Sequence, residues 1–287
     1  MRGNRKSMVI RPSGRSTDYI SPSFGVGCLY ECSYCYMKRH HPVGLDISTN
    51  IEEILTAIDH HSWFADSDVE KPNQTHAEYI TYDISCNEDF ALHAKFHEWE
   101  KIFTFFRDHP KAMASFATKH VNGDFLKFNP HEKVRIRFSL MPESLRQILE
   151  PNTSSILQRL SVVRDFQDAG YEVHLNFSPI VVYTGWLEDY QELFNHIKVM
   201  AQIEWDTEKV KAEVIFLTHN EAKHDLNLLN KFPGEDYLWK PEIQETKISQ
   251  FGGENIRYKA GLKAQFIKQW TELHDSIIPW NTIRYIF

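Results

Sequence analysis

At 287 residues, with 42% hydrophobic residues and no run of about eighteen apolar residues, the chain is long enough for one large α/β domain and reads as soluble. A formal net charge of -7, from 32 Lys and Arg against 39 Asp and Glu, excludes an indiscriminate nucleic-acid coat, because nonspecific DNA affinity comes from neutralising phosphates with cations. Only four cysteines occur, and Cys28, Cys32 and Cys35 lie within one short stretch, which excludes a disulfide framework spread through a small secreted chain.

Residues 1–18 form a basic lead-in carrying Arg2, Arg5, Lys6, Arg11 and Arg15. The segment lacks the apolar core and small-residue cleavage site of a secretory signal, so a cytoplasmic location is expected. Such a terminus reads as solvated; Lys133, Arg135 and Arg137 are the other candidates for a basic face. No repeat or low-complexity linker divides the rest, and 19–287 reads as a single domain.

Strands are expected near 19–26, 79–84, 115–118, 134–140, 173–177 and 214–217, where apolar and β-branched residues cluster. Between them, Ile51, Ile54, Leu55 and Ile58 line one helical face. Leu157, Leu160, Val163 and Phe166 line a second that ends at Gly170, and Leu193, Phe194, Ile197 and Met200 a third. Six alternations of strand and helix favour a parallel sheet curled into a partial TIM-like (β/α)6 barrel, with an open doubly wound sheet as the alternative. Residues 237–258 break the rhythm with Tyr237, Trp239, Phe251, Tyr258 and the turn-forming Gly252–Gly253, and read as a hairpin or long loop. A helix near 262–273 and a strand at 282–286 close the chain.

The densest chemistry lies in SPSFGVGCLYECSYCYM, which spaces Cys28, Cys32 and Cys35 as C-x-x-x-C-x-x-C after the first expected strand. Iron–sulfur cubes usually take four thiolates. Three would leave one iron open, as a catalytic zinc keeps an open position. Two competing readings are a structural zinc site completed by His40 or His41, and a cluster used only for electron transfer or sensing.

This loop resembles the hallmark of radical S-adenosylmethionine enzymes, and the wider chain resembles the spore photoproduct lyase family within that class. The likeness extends from about Tyr19 to the C-terminus through SCNED, SFATKH, RIRFSL, GYEVHLNFSPI and GWLEDYQELF in family order. The resemblance implies a 4Fe–4S cluster on Cys28, Cys32 and Cys35 and S-adenosylmethionine on its open iron. The cofactor carries the difficult step while the protein orients it and excludes solvent. It implies a carbon–carbon lyase that returns a spore-type thymine dimer in DNA to two thymines, with Cys86 as hydrogen-atom donor. Tyr34 and Tyr36 match the family's hydrogen-return pair, with Tyr36 also expected to touch the cofactor, and Lys119 and Ser139 match positions that contact S-adenosylmethionine. Glu88 stands where the family has a serine near the cofactor, and its carboxylate either accepts from the methionyl ammonium or faces solvent.

The hairpin departs further. Gln250–Phe251 occupies the region of an expected adjacent Arg–Tyr pair, and Arg257–Tyr258 follows a few residues on, so Phe251, Arg257 and Tyr258 are the candidate substrate contacts. The implied partners are damaged DNA, flipped out for chemistry, and a one-electron reductant such as flavodoxin or ferredoxin. No membrane partner is implied, and the oligomeric state is left open. Two alternatives stand beside this reading: a radical enzyme acting on another nucleic acid, nucleotide or peptide, and a non-catalytic iron–sulfur or zinc binding protein.

Overall fold

The computed structural model describes residues 1–41, 44–64, 73, 75–248 and 253–287. It divides into two compact units: Met1–Leu29, His41–Phe138 and Val162–His174 form the first, and Tyr30–His40, Ser139–Ser161 and Leu175–Phe287 the second.

In the first unit, Tyr19–Ile20, Ile80–Asp83, Ala112–Thr118 and the Val134 end of Val134–Leu140 pair side by side in parallel. Tyr19 registers with Tyr82, Ile80 with Ala112 and Ala114 with Val134. Helices Ile51–Phe64 and Trp99–Asp108 turn Ile54, Ile58, Ile102 and Phe106 inward, as apolar residues spaced at three and four must. Phe90, Phe103, Phe116 and Phe125 make an aromatic core, with ring centroids 5.0 Å apart for Phe103–Phe125 and 5.6 Å for Phe90–Phe116.

The first expected strand, 19–26, is two strands. Tyr19–Ile20 joins the parallel ladder, whereas Gly25–Gly27 pairs antiparallel with Leu45–Ser48 in a separate three-stranded sheet. Ser21 still donates its N–H to the Asp83 carbonyl at 3.1 Å, but Pro22 has no N–H to continue the ladder.

The basic face expected from Lys133, Arg135 and Arg137 is also corrected. These alternate along one strand direction, and all three are buried. Arg135 Nη2 donates to Glu172 at 3.1 Å and Arg137 Nη2 to Asp83 at 2.7 Å, while Lys133 donates to the His109 carbonyl and lies over the Tyr79 ring.

In the second unit, the strand Glu172–Ile180 from Leu175 onward pairs in parallel with Lys211–Phe216, which pairs in parallel with Thr282–Ile286. Helices Trp186–Glu204 and Ala260–Ile277 pack their buried faces together, and Trp270 lies 5.1 Å from both Phe177 and Phe194 by ring centroid. Gln244–Ile248 and Glu254–Tyr258 form an antiparallel hairpin extended by Thr218–His219. The expected continuous helix through 157–166 is instead Ile156–Ser161 and Val163–Asp168, divided at Val162 within a pair of β-branched valines. Ile156, Arg159 and Leu160 take the inner face, which leaves Leu157 51% exposed. Gly170, at φ 93°, ends the segment in a conformation that favours glycine. Among the described residues, no helix is long and apolar enough to cross a membrane.

Candidate active site

In the first unit, Gly27 precedes Cys28 with φ 104°, and its N–H donates to the Asn87 carbonyl at 3.0 Å. One hydrogen bond therefore sets the residue before Cys28 beside the residue after Cys86. Asn87 Nδ2 adds a bond to Ser23 Oγ at 2.6 Å. Cys86 occupies a turn closed on both sides: Ser85 N donates to Asp83 Oδ1 at 2.8 Å, and Ser85 Oγ donates to the Glu88 carbonyl at 2.8 Å. Cys28, Cys86 and Cys35 are half-buried and Cys32 is buried, with no disulfide among them.

Glu88 is enclosed rather than solvated. Its Oε2 lies 3.0 Å from His93 Nδ1 and 2.8 Å from His97 Nε2, and all three side chains are buried. Burial pushes the carboxyl up, but the bonds from His93 and His97 outweigh that and hold it below the usual carboxylate range. Glu88 Oε1 meets no donor among the described residues. The carboxylate fits because position 25 is glycine: a Cβ there would lie 2.6 Å from Oε2. His93 Nε2 in turn accepts from the N–H of Leu29 at 3.3 Å, so the carboxylate supports the backbone next to Cys28 through an imidazole.

Asp89 places Lys119. Its Oδ2 accepts from the Lys119 N–H at 2.8 Å, and its Oδ1 accepts from Thr118 Oγ1 at 2.7 Å while capping the Phe90–His93 helix through Leu92 N. The Cys86 turn and the end of the Ala112–Thr118 strand are thereby fixed to each other.

In the second unit, the thiol loop is anchored at Ser33. Its N–H donates to the Leu149 carbonyl at 2.9 Å, its hydroxyl donates to the Pro233 carbonyl at 2.8 Å, and its own carbonyl accepts from Asn227 Nδ2 at 2.9 Å. Cys35 N donates to the Cys32 carbonyl at 3.0 Å, curling the chain between these two thiols. The Tyr34 hydroxyl donates to Glu150 Oε1, and burial together with the Glu150 charge raises its pKa well above the ordinary phenol. Tyr36 is 44% exposed and packs edge-on to His40. Ser139 is buried; its hydroxyl accepts from Asn176 Nδ2 at 3.3 Å and its carbonyl from Arg159 Nη1 at 2.6 Å.

Of the substrate candidates, Arg257 stacks its guanidinium 5.1 Å from the Phe287 ring centroid. Tyr258 is buried, and its hydroxyl accepts the Val182 N–H at 2.8 Å. Phe251 lies outside the described residues. Sequence reasoning passed over Asp89, His93, His97, Glu150, Arg159 and Asn227. The available signals were the tandem carboxylates of SCNED and the two histidines four residues apart.

Three thiols on a short loop, with no disulfide to occupy them, could hold a cluster with one open iron. Such a loop is the mark of the radical S-adenosylmethionine class, to which the family that matches this chain belongs. The spore photoproduct lyase family model matches residues 1–287, and the chain belongs to that family. It is 28% identical over 290 residues to the spore photoproduct lyase of Bacillus subtilis (strain 168), covering 99% of this chain and 80% of that one. Its fold superimposes on a spore photoproduct lyase variant with bound AdoMet and dinucleoside spore photoproduct at TM-score 0.88 and 19% identity, over 100% of this chain and 82% of that one. A spore photoproduct lyase complexed with dinucleoside spore photoproduct gives 0.87 and 20% over the same shares.

Proposed function

We propose that this chain is a radical S-adenosylmethionine lyase that repairs spore-type thymine dimers in DNA. The observation that carries the reading is the family match over residues 1–287 in a chain that retains the three loop thiols and a fourth thiol on the neighbouring turn.

Cys28, Cys32 and Cys35 would hold a 4Fe–4S cluster, whose electron would cleave S-adenosylmethionine to the radical that takes a hydrogen atom from C6 of the dimer. Lys119 would pair with the methionyl carboxylate as a compact point charge. Glu88 offers its unmatched Oε1 to the methionyl ammonium, a charge-assisted bond that a buried carboxylate can still accept. Ser139 would contact the same cofactor. After the thymine–thymine bridge breaks, Cys86 passes the hydrogen atom of its S–H bond to the product radical. That bond is weaker than the C–H bond formed, so the step runs downhill and leaves a thiyl. Tyr34 and Tyr36 supply phenolic O–H bonds of comparable strength for the return of the hydrogen. A one-electron reductant such as flavodoxin or ferredoxin, and a cytoplasmic setting, complete the reading.

The test is anaerobic incubation of the cluster-loaded, reduced protein with S-adenosylmethionine and dinucleotide spore photoproduct. Thymine release is expected. Formation of 5′-deoxyadenosine without thymine would redirect the chemistry to another substrate. Tyr258 favours that second reading at the hairpin, because its hydroxyl is engaged with Val182 inside the fold.

A further inference from the structure

Away from the thiol loop, the second unit gathers two imidazoles and a carboxylate around one point. His219 ends the Thr218–His219 strand and registers with Ile256 of the hairpin. His224 lies in the first turn of helix Glu221–Asn230, and Glu235 opens helix Glu235–Leu238. Their ligand atoms all lie within 4.8 Å of one another. His219 Nε2 is 2.8 Å and His224 Nδ1 is 2.6 Å from the same oxygen, Glu235 Oε1.

We infer that His219, His224 and Glu235 form a binding site for a borderline divalent cation of the zinc type. Two neutral imidazoles and one carboxylate are an established zinc donor set, and three protein ligands leave a position for water. Each ligand is held from outside. Asn227 Nδ2 donates to Glu235 Oε2, which leaves Oε1 as the oxygen presented to the ion. Trp239 stacks on the His224 ring with centroids 4.0 Å apart and planes 13° apart. His219 is fixed by the strand pairing and is buried. Such outer partners orient ligands and tune affinity.

The present spacings are those of hydrogen bonds. Around an ion with bonds of about 2.0–2.1 Å, ligand atoms stand about 3.3 Å apart; each ring opens from the carboxylate by several tenths of an ångström, and the two imidazole nitrogens, now within 4.8 Å, settle to the same spacing. Each imidazole would present to the ion the ring nitrogen that now faces Glu235 Oε1.

The ion would tie the hairpin sheet to helix Glu221–Asn230. Asn227 bonds both Glu235 and the Ser33 carbonyl, so the tie reaches the chain between Cys32 and Cys35. The role is structural, and zinc itself is the probe. Anaerobically purified, cluster-loaded protein is stripped of loosely held metal, titrated with zinc, dialysed, and assayed for zinc and iron per chain alongside thermal melting. One retained zinc and a raised melting temperature are expected in the wild type, with both lost in Glu235→Gln and in His224→Ala at unchanged iron content. Asn227→Ala should weaken zinc by about 10–100-fold. Absence of retained zinc in the wild type would overturn the site, as would equal retention in both ligand variants, which would place the ion on a thiol such as Cys86. If Glu235→Gln fails to fold, the partly exposed His224 decides. The zinc count needs no turnover, so it stands or falls separately from the lyase reading.

Discussion

The Tyr34 hydroxyl donates to one carboxylate oxygen of Glu150, across 116 residues of sequence. The other oxygen accepts from Arg159 Nη2 at 2.9 Å, and Glu150 and Arg159 are both fully buried. Glu150→Gln would keep the shape while leaving the guanidinium without its counter-charge. A loss of about 3–5 kcal/mol in chemical denaturation is expected. An unchanged denaturation midpoint would mean that Arg159 is neutralised elsewhere.

Tyr34→Phe removes one hydrogen bond to a charged acceptor and should cost about 1.5–3 kcal/mol. If Tyr34 also returns hydrogen, the variant cleaves S-adenosylmethionine in a first turnover but consumes more of it per dimer repaired. The ratio of 5′-deoxyadenosine to thymine separates this from a purely structural effect, which would leave the ratio at its wild-type value.

Gly25 and Glu88 form a steric pair. Gly25→Ala would set a methyl carbon 2.6 Å from Glu88 Oε2, the same oxygen that His93 and His97 hold. The single variant should melt at lower temperature and bind S-adenosylmethionine more weakly. Adding Glu88→Ser makes room for the methyl group and should recover part of the melting temperature. A Gly25→Ala protein as stable as the wild type would show that the carboxylate can swing away.

Cys86→Ala should retain cluster iron and S-adenosylmethionine cleavage and still open the dimer, while yielding wrongly quenched thymine products. Cys35→Ala should lose cluster iron and activity together. Product chromatography and iron analysis read the two outcomes, and normal thymine yield from Cys86→Ala would remove that residue from the mechanism.

Acid stability should report on Glu172. Burial raises its pKa, but His174 and Arg135 outweigh burial and hold the group far below the ordinary glutamate range. A carboxyl depressed in the folded state contributes its stability above the unfolded pKa and loses it as pH falls toward the folded value. Denaturation midpoints measured between about pH 7 and pH 3 should therefore decline below the ordinary glutamate value of about 4.3, and Glu172→Gln should remove part of that decline.

The sequence was most legible where the information is local. Cys28, Cys32 and Cys35 announce themselves by spacing, and the strand at Val134–Leu140 has the expected bounds. The meaning of that strand was less accessible. VRIRFSL alternates like a strand with one wet face, yet all seven positions are buried, because Asp83 and Glu172 arrive from 54 and 37 residues away to meet the arginines. Glu150 was invisible as Tyr34's partner for the same reason of distance. The Glu88 pairing was different: His93 and His97 lie close in sequence, but only the glycine at 25 shows that the carboxylate turns inward. The helix near 157–166 misread as continuous because its apolar spacing carries through the Val162–Val163 break.

Arg135, Arg137 and Arg159 each face a carboxylate inside the protein and are withdrawn from the cations that a phosphate backbone can meet. Each neutralised phosphate contributes about 0.9 to the slope of log affinity against log salt on duplex DNA, so these three arginines should add nothing to that slope.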